Sequence, residues 1–223
     1  MEWESKVSPL PYYRGNWQDA VPTSELSPGI YLLRNCQEIS PQSLEDLGWQ
    51  FLLDMADLAA IEPVDVTFNP TIQVSPLTPD DVDFLVEAAP RIFSPEPYPN
   101  RVHRLWSRPV ADTLMTEWVL NSLTERAARV RVAHRDGEPA GFVSILSISD
   151  NVEQIDLLGV CPGHRGLGVG KTLANLAALT AQTSVMRVRT ELTNLPAMWT
   201  YMAAGFQLIQ SETQYWARVE KES

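Results

Sequence analysis

Three alternating glycines, Gly166, Gly168 and Gly170, separate a β-rich run, VEQIDLLGV, from an Ala/Leu-rich run, VGKTLANLAALTAQ. Apolar residues spaced three and four apart make the second run a helix from Val169 to about Gln182. The glycines therefore stand where a strand ends and a helix begins. RGLGVGKT matches the phosphate-loop template G-x-x-x-x-G-K-[ST] at Gly170, Lys171 and Thr172, but Arg165 replaces its first glycine. The dinucleotide template G-x-G-x-x-G fails, because these glycines recur at every second residue. Chain order excludes an NTP-hydrolysing domain. There the loop follows an early strand and a magnesium-binding Asp comes later, whereas here the next strand, VMRVRTEL, ends in Glu191 with little chain left.

A glycine loop at a helix start presents free backbone N–H groups to one point, where the helix dipole adds roughly half a positive charge. Glycines also remove the Cβ atoms that would keep a ligand's oxygens from those amides. His164, Arg165 and Lys171 bring positive charge to the same place. These features predict an anion site on the amides of residues 165–171, suited to a cofactor's pyrophosphate held without Mg²⁺. The plainer alternative is a turn that only packs helix on strand.

Elsewhere the chain is acidic. Its 28 Asp and Glu against 17 Lys and Arg give a net charge of −11, which repels polyanions and argues against nucleic acid as a partner. The start, MEWESKVSPL, has no basic segment followed by an apolar one, and no eighteen apolar residues run together, so a cytoplasmic protein with no membrane partner is expected. Cys36 and Cys161 form no C-x-x-C pair, and only His103, His134 and His164 could join them on a metal. Neither a disulfide framework nor a metal site is expected. With 44% of 223 residues hydrophobic, the chain can fill a core unaided.

The extended, proline-bearing run EPVDVTFNPT suggests two parts, a small N-terminal α/β unit over residues 1–71 and a larger domain over 72–223. In the first, GIYLLRN reads as a strand, SPQSLEDLG as a helix capped by Ser40 or Ser43 and ended by Gly48, and WQFLLDMADLAAI follows. In the second, TIQVSPL is a strand and Thr78 caps a helix through PDDVDFLVEAA, with Pro79 at its first position and Asp80 and Asp81 in its first turn. The prolines of SPEPYPNRVHRLWSRP predict a long ordered loop before a helix through VADTLMTEWVLNSL. Three β-rich runs separated by Asp136-Gly137 and Asp150-Asn151 then have the pattern of an antiparallel meander. Near the end, Thr193 or Asn194 can cap a last helix with Pro196 in its first turn and Gly205 at its close, and FQLIQSETQYWARV forms one or two strands. The expected class is α+β, a mostly antiparallel twisted sheet flanked by helices.

The run LLGVCPGHRGLGVG resembles the acetyl-CoA signature of the GCN5-related N-acetyltransferase superfamily, R/Q-x-x-G-x-G/A after a strand ending V-x-P, with Arg165, Gly168 and Gly170 in its defined places. Further on, NLPAMWTYMAAGF resembles a second superfamily motif, N-x-x-A-x-x-x-Y-x-x-x-G-F, position for position. The resemblance covers roughly residues 72–223 and implies an acyl-CoA acyltransferase fold with acetyl-CoA as co-substrate and no metal. It implies that a splayed strand around Leu158 and Val160 lends backbone groups to the pantetheine. Arg165, Gly166, Leu167, Gly168, Val169, Gly170 and Lys171 would hold the pyrophosphate, with Asn194 joining the cofactor site. The acceptor amine attacks the acetyl carbonyl directly, so Cys161 is not needed as a nucleophile. Tyr201, four residues beyond Ala197 and on the same helical face, can protonate the departing thiolate. Superfamily members often carry a basic Glu on the strand before V-x-P. Alternation from Val160 places Gln154 and Asp156 on its face and Glu153 on the other, which makes Asp156 the carboxylate candidate. A water chain and His103 are the alternatives.

NRVHRLWSRPVADTLMTEWVLNSL is similar to the acceptor side of sugar-nucleotide N-acetyltransferases, the dTDP-fucosamine acetyltransferase group. That similarity implies a small-molecule amine acceptor, a nucleotide-linked amino sugar above all. Arg101 and Arg104 would pair with its pyrophosphate near His103, and Tyr98 or Trp106 would stack on a base or sugar. A protein or peptide N-acetyltransferase, which the acidic chain suits electrostatically, and a non-catalytic acyl-CoA-binding module are the alternatives. The oligomeric state is open, a homodimer included.

Overall fold

The computed structural model describes residues 12–60, 68–93 and 101–220. Local turn chemistry builds its meander. Asp136 and Gly137 both take left-handed φ, 55° and 87°, as the tight turn between Arg129–Arg135 (β5) and Glu138–Ser149 (β6) requires. Val152–Val160 (β7) runs antiparallel to β6, and Gln73–Pro76 (β4) antiparallel to β5. Val185–Glu191 (β8) then lies parallel to β7, reached through the helix Val169–Leu179 (α5).

Four more strands complete the sheet: Tyr12–Asn16 (β1), Gly29–Arg34 (β2), Gln50–Ala60 (β3) and Gln207–Val219 (β9). The order is β1-β2-β9-β3-β8-β7-β6-β5-β4. β3 is antiparallel to both β8 and β9 and lies between them, so residues on both sides of position 71 build one sheet. Its sequence accounts for that central place. Leu53 and Met55 are buried toward one face, Ala56 and Leu58 toward the other, and a strand apolar on both faces belongs inside a sheet rather than at an edge. The closing run FQLIQSETQYWARV is one long strand, β9.

Pro41–Asp46 (α1), with Ser40 as its N-cap accepting from Ser43 N, packs Leu44 near Tyr215 of β9. Pro79–Phe93 (α2), Arg101–Leu105 (α3) and Arg108–Asn121 (α4) cover one face of the sheet, where Leu85 and Val119 meet Val132 and Phe142, and Leu105 and Leu114 meet Leu53 and Met55. Helix α5 and Leu195–Ala203 (α6) cover the other, with Leu173 and Tyr201 over Ala56, Val143, Ile155 and Val188. Thr78 caps α2 reciprocally: its hydroxyl accepts from Asp81 N while the Asp81 carboxylate accepts from Thr78 N at 2.9 Å. The same carboxylate lies 2.8 Å from His134 Nε2 on β5. Burial pushes the Asp81 pKa up, but Thr78 and His134 outweigh it and hold the carboxyl below the usual range. Within the proline-bearing run, residues 94–100, Tyr98 among them, lie outside the described residues. Where a loop is expected from the sequence, Arg101–Leu105 is a short helix, and Pro109 sits in the first turn of α4, where a missing N–H is harmless. Among the described residues no helix is long and apolar enough to cross a membrane.

Candidate active site

β7 and β8 are paired only from Val152–Ile155 to Val185–Val188, after which they part. A bulge lies at that point. Ile145 opposes Ile155 but Ser144 opposes Leu157, leaving Asp156 as an extra residue, and a bulge re-aims the strand beyond it. Ile155, Leu158 and Val160 therefore all pack toward α5 and α6, while Leu157 packs toward α2 and α4. This overturns the simple alternation. Glu153 shares the Val160 face, where its carboxylate takes Arg129 at 2.6 and 3.0 Å and the Gln182 amide at 2.8 Å just beyond α5. Asp156 points the other way. Its Oδ2 accepts from Ser122 Oγ at 2.7 Å and from Arg126.

Above the wedge between β7 and β8, the chain makes a short 3₁₀ turn, Pro162–His164, and then the glycine loop. Gly166 and Gly168 take left-handed φ, 73° and 86°, which side chains with a Cβ rarely adopt. Gly168 is the N-cap of α5, and the first helical bond there runs from Thr172 N to Gly168 O at 2.9 Å. The amides of Val169, Gly170 and Lys171 precede that bond and point out of the helix start. A Cβ on Gly166 would meet nothing within 4 Å, whereas one on Gly170 would press on Thr200 Cγ2 at 3.3 Å. The two glycines thus do different things: Gly166 allows the turn, and Gly170 lets α5 settle against α6.

Arg165 is not aimed at this point. Its Nη2 donates to the carbonyls of Arg91 (3.1 Å) and Ile92 (2.8 Å), the last turn of α2, and its Nε to Val160 O at 3.4 Å. A guanidinium at a helix C-terminus neutralises the negative end of the dipole. Positive charge near the loop amides is left to the exposed Lys171, with the half-buried His164 beside them as a further N–H donor. Asn69 braces the loop, with Nδ2 donating to Leu167 O at 3.3 Å and Oδ1 accepting from Thr71 N and Oγ1. It went unmarked in the sequence because it lies in the boundary run, although Asn before Pro is itself a turn signal.

Tyr201 reaches toward the sheet from α6. It is 6% exposed, its ring 5.7 Å from that of Phe206, and burial pushes its phenol well above the ordinary value. At neutral pH it carries its proton, as a donor must. Asn194 caps α6 by accepting from Ala197 N at 3.3 Å, so its side-chain oxygen holds the helix that carries Tyr201.

On the α3 and α4 side, Trp106 is 7% exposed and packs in the core 5.2 Å from Tyr12. The stacking role expected from the sequence is replaced by a core role. Arg104 is exposed and donates to Leu52 O at 3.1 Å. His103 Nε2 lies 3.6 Å from Asp112; burial lowers its pKa, with Asp112 opposing. Arg101 opens α3, and its side chain is outside the described residues. A cluster that the sequence did not mark lies on the same side of the sheet. Glu212 of β9, opposite Met55, accepts from Arg34 Nε (3.0 Å) and Nη2 (2.9 Å), from Gln214 (2.6 Å) and from Arg189, which also reaches Asp57 Oδ1 at 3.0 Å. Burial would raise the Glu212 pKa, but Arg34, Gln214 and Arg189 bring it down to about 2. Among the described residues no group of three or more His, Cys, Asp or Glu could hold a metal.

The sequence pattern of the acetyltransferase (GNAT) family matches residues 88–206, from the last turns of α2 through the meander, the loop and β8 to the end of α6. The chain belongs to that family. Over 149 residues it is 32% identical to the spore coat polysaccharide biosynthesis protein SpsD of Bacillus subtilis, covering 66% of this chain and 50% of that one. The chain thus spans about half the length of this relative. Among solved structures, a GCN5-related N-acetyltransferase from Sphaerobacter thermophilus superposes with a TM-score of 0.58 at 13% identity, covering 86% of this chain and 60% of that one. A conserved protein of unknown function from Staphylococcus epidermidis gives 0.65 at 13% identity, covering 85% and 72%. These likenesses concern the fold, which in this chain is a mixed nine-stranded sheet flanked by helices.

Proposed function

We propose that this chain transfers an acetyl group from acetyl-CoA to the primary amine of a nucleotide-linked amino sugar. The observation that carries the reading is one continuous path: the wedge between β7 and β8 leads to a glycine loop whose outward amides open α5. The residues fit a pantetheine pyrophosphate. Left-handed glycines leave space over the Val169–Lys171 amides, Lys171 supplies charge, His164 stands beside the loop, and Leu158 and Val160 border the wedge. When bound, acetyl-CoA supplies the activated acyl group. Tyr201 Oη holds a proton for the departing sulfur, since burial keeps the phenol protonated and no solvent competes for it. Asp156 is already engaged by Arg126 and Ser122, so the amine's proton leaves through water. No covalent enzyme intermediate is needed, and positioning is the main task of the protein.

A sugar acceptor is favoured by the likeness to a protein named for polysaccharide biosynthesis. Arg101, Arg104 and His103, on the short helix at the edge of the α4 side, are the side chains proposed to meet it. The net charge of −11 favours the rival, a basic peptide acceptor. A panel of dTDP- and UDP-linked amino sugars set against basic peptides, with release of free CoA as readout, separates the two. Turnover with the sugars is expected. Turnover with peptides alone would replace the proposed acceptor, and acetyl-CoA binding with no turnover on any amine would favour a non-catalytic module.

A further inference from the structure

Helix α6 is apolar on both faces. Met198 and Tyr201 are buried toward the sheet, while Leu195, Trp199 and Met202, spaced i, i+4 and i+7, form one stripe on the outward side. That stripe is open: Leu195 is 56% exposed, Trp199 70% and Met202 59%. A helix apolar all round is ordinarily covered on both sides. Leu208, 54% exposed, stands opposite Leu58 of β3 and so on the α6 side of the sheet. The whole stretch from Leu192 to Ser211 contains no Asp, Glu, Lys or Arg, the longest such run in a chain of which 20% is charged. Depletion of charge with enrichment of Trp and Met is the composition of an interface core rather than of a solvated surface.

We propose that this face is the two-fold interface of a homodimer, with α6 of one copy lying antiparallel to α6 of the other. The spacing is self-complementary. Trp199 lies next to the midpoint between Leu195 and Met202, so a two-fold axis there sets Trp199 on its counterpart and Leu195 of each copy against Met202 of the other, as an isologous contact requires. Four large side chains more than half open on each copy amount to on the order of 1,000 Å² removed from water when two copies meet, enough for a specific interface. Charge selects the partner. Each copy carries −11, so two copies repel where charged faces meet, and the run 192–211 is where they can pack without setting like charges together. A basic partner would gain nothing there, since this stretch offers it no carboxylate. Tyr201 leaves the inward side of the same helix, so the contact braces the element that carries the proposed proton donor without touching it.

Sedimentation velocity on the full chain at micromolar concentration, in physiological salt and without acetyl-CoA, provides the test. Wild type should sediment at twice the 25.0 kDa chain mass. Trp199→Glu should raise the dimer dissociation constant on the order of 100-fold and leave a monomer, because a central aromatic anchor is lost and two carboxylates face each other across the axis. Leu195→Arg and Met202→Glu should each weaken the dimer about tenfold or more, and the double variant should regain most of it. Its new charges, seven residues apart on one helix, are too distant to pair within a copy and meet only across an antiparallel axis. A monomeric wild type overturns the proposal, and loss of Trp199 accessibility on adding acetyl-CoA to that monomer would name the cofactor as the occupant instead. A dimer that withstands Trp199→Glu, or withstands both single charge variants, overturns it by placing the contact elsewhere, and the charge exchange decides alone if Trp199→Glu does not fold. Weakening by both single variants with no recovery in the double overturns the antiparallel pairing. The masses are read without acetyl-CoA, so these failures are separate from failure of the acyl-transfer reading, which requires that acetyl-CoA be neither bound nor turned over.

Discussion

The glycine loop and the Glu212 cluster lie on opposite sides of the same sheet and differ in how their parts are gathered. One unbroken stretch, from Val152 to Leu179, supplies β7, its bulge, the loop and α5. The cluster instead draws Arg34 from β2, Asp57 from β3, Arg189 from β8 and Glu212 with Gln214 from β9. In the first region a side chain can be changed with the fold intact, because glycine φ values and helix-start amides are local properties. In the second, buried and half-buried charges are held by partners from other strands, so change is felt first as lost stability.

Four substitutions sharpen or break this contrast. Tyr201→Phe, next to the locally built region, should lower kcat about 10²–10⁴-fold while acetyl-CoA affinity and melting temperature hold, since the ring's packing is retained. Steady-state kinetics under chemistry-limited conditions check it, and unchanged turnover would remove Tyr201 from the mechanism. Gly168→Asp places a carboxylate at the N-cap where the anion is proposed to sit, at a left-handed φ of 86° that strains any side chain, and should weaken acetyl-CoA binding on the order of 100-fold by calorimetry.

Glu212→Gln should act on the fold instead. The Glu212 carboxyl titrates at about 2 against an ordinary value of 4.5, so its folded-state pKa is depressed. Its stabilisation is present above the ordinary value and is lost as pH falls from 4.5 through 2. Allowing for solvent screening at the 37% exposed Arg34 side chain, the loss at neutral pH should be about 2–3 kcal/mol, read by urea unfolding. The variant should also flatten the acid limb of stability against pH, and an acid limb identical to wild type would show that the cluster does not carry it.

The smallest effect is the most discriminating. Arg165→Gln should cost about 1 kcal/mol through the α2 C-terminus and change acetyl-CoA Kd no more than about threefold. A large loss of affinity with full stability would return Arg165 to the phosphate.

Most local elements were legible because their signals sit within a few residues. Thr78 with Asp81 capped α2, Asp136-Gly137 turned the hairpin, and Asn194 with Pro196 began α6, each as those residue types dictate. Trp106 was misread because an aromatic in a run rich in arginine looks the same whether it faces a ligand or Tyr12, and only burial separates the two. Asp156 was misplaced because alternation assumes an unbroken ladder. At the bulge Asp156 meets Ser122 and Arg126, and Ser122 meets Ser144, partners that come from β6 and from the turn after α4.

From the chain alone came the strand–loop–helix unit with its outward amides, the meander, and the two motifs that identify the family. These follow from backbone freedom at glycine, from capping, and from periodicities of two and 3.6, all expressed over short spans. Folding decided the rest. β3 enters the sheet between β8 and β9, Arg165 turns to the end of α2, and Glu212 is held charged in a buried place. Each depends on pairs of residues far apart in the chain, whose hydrogen bonds and charge interactions have no counterpart until the strands carrying them are packed side by side.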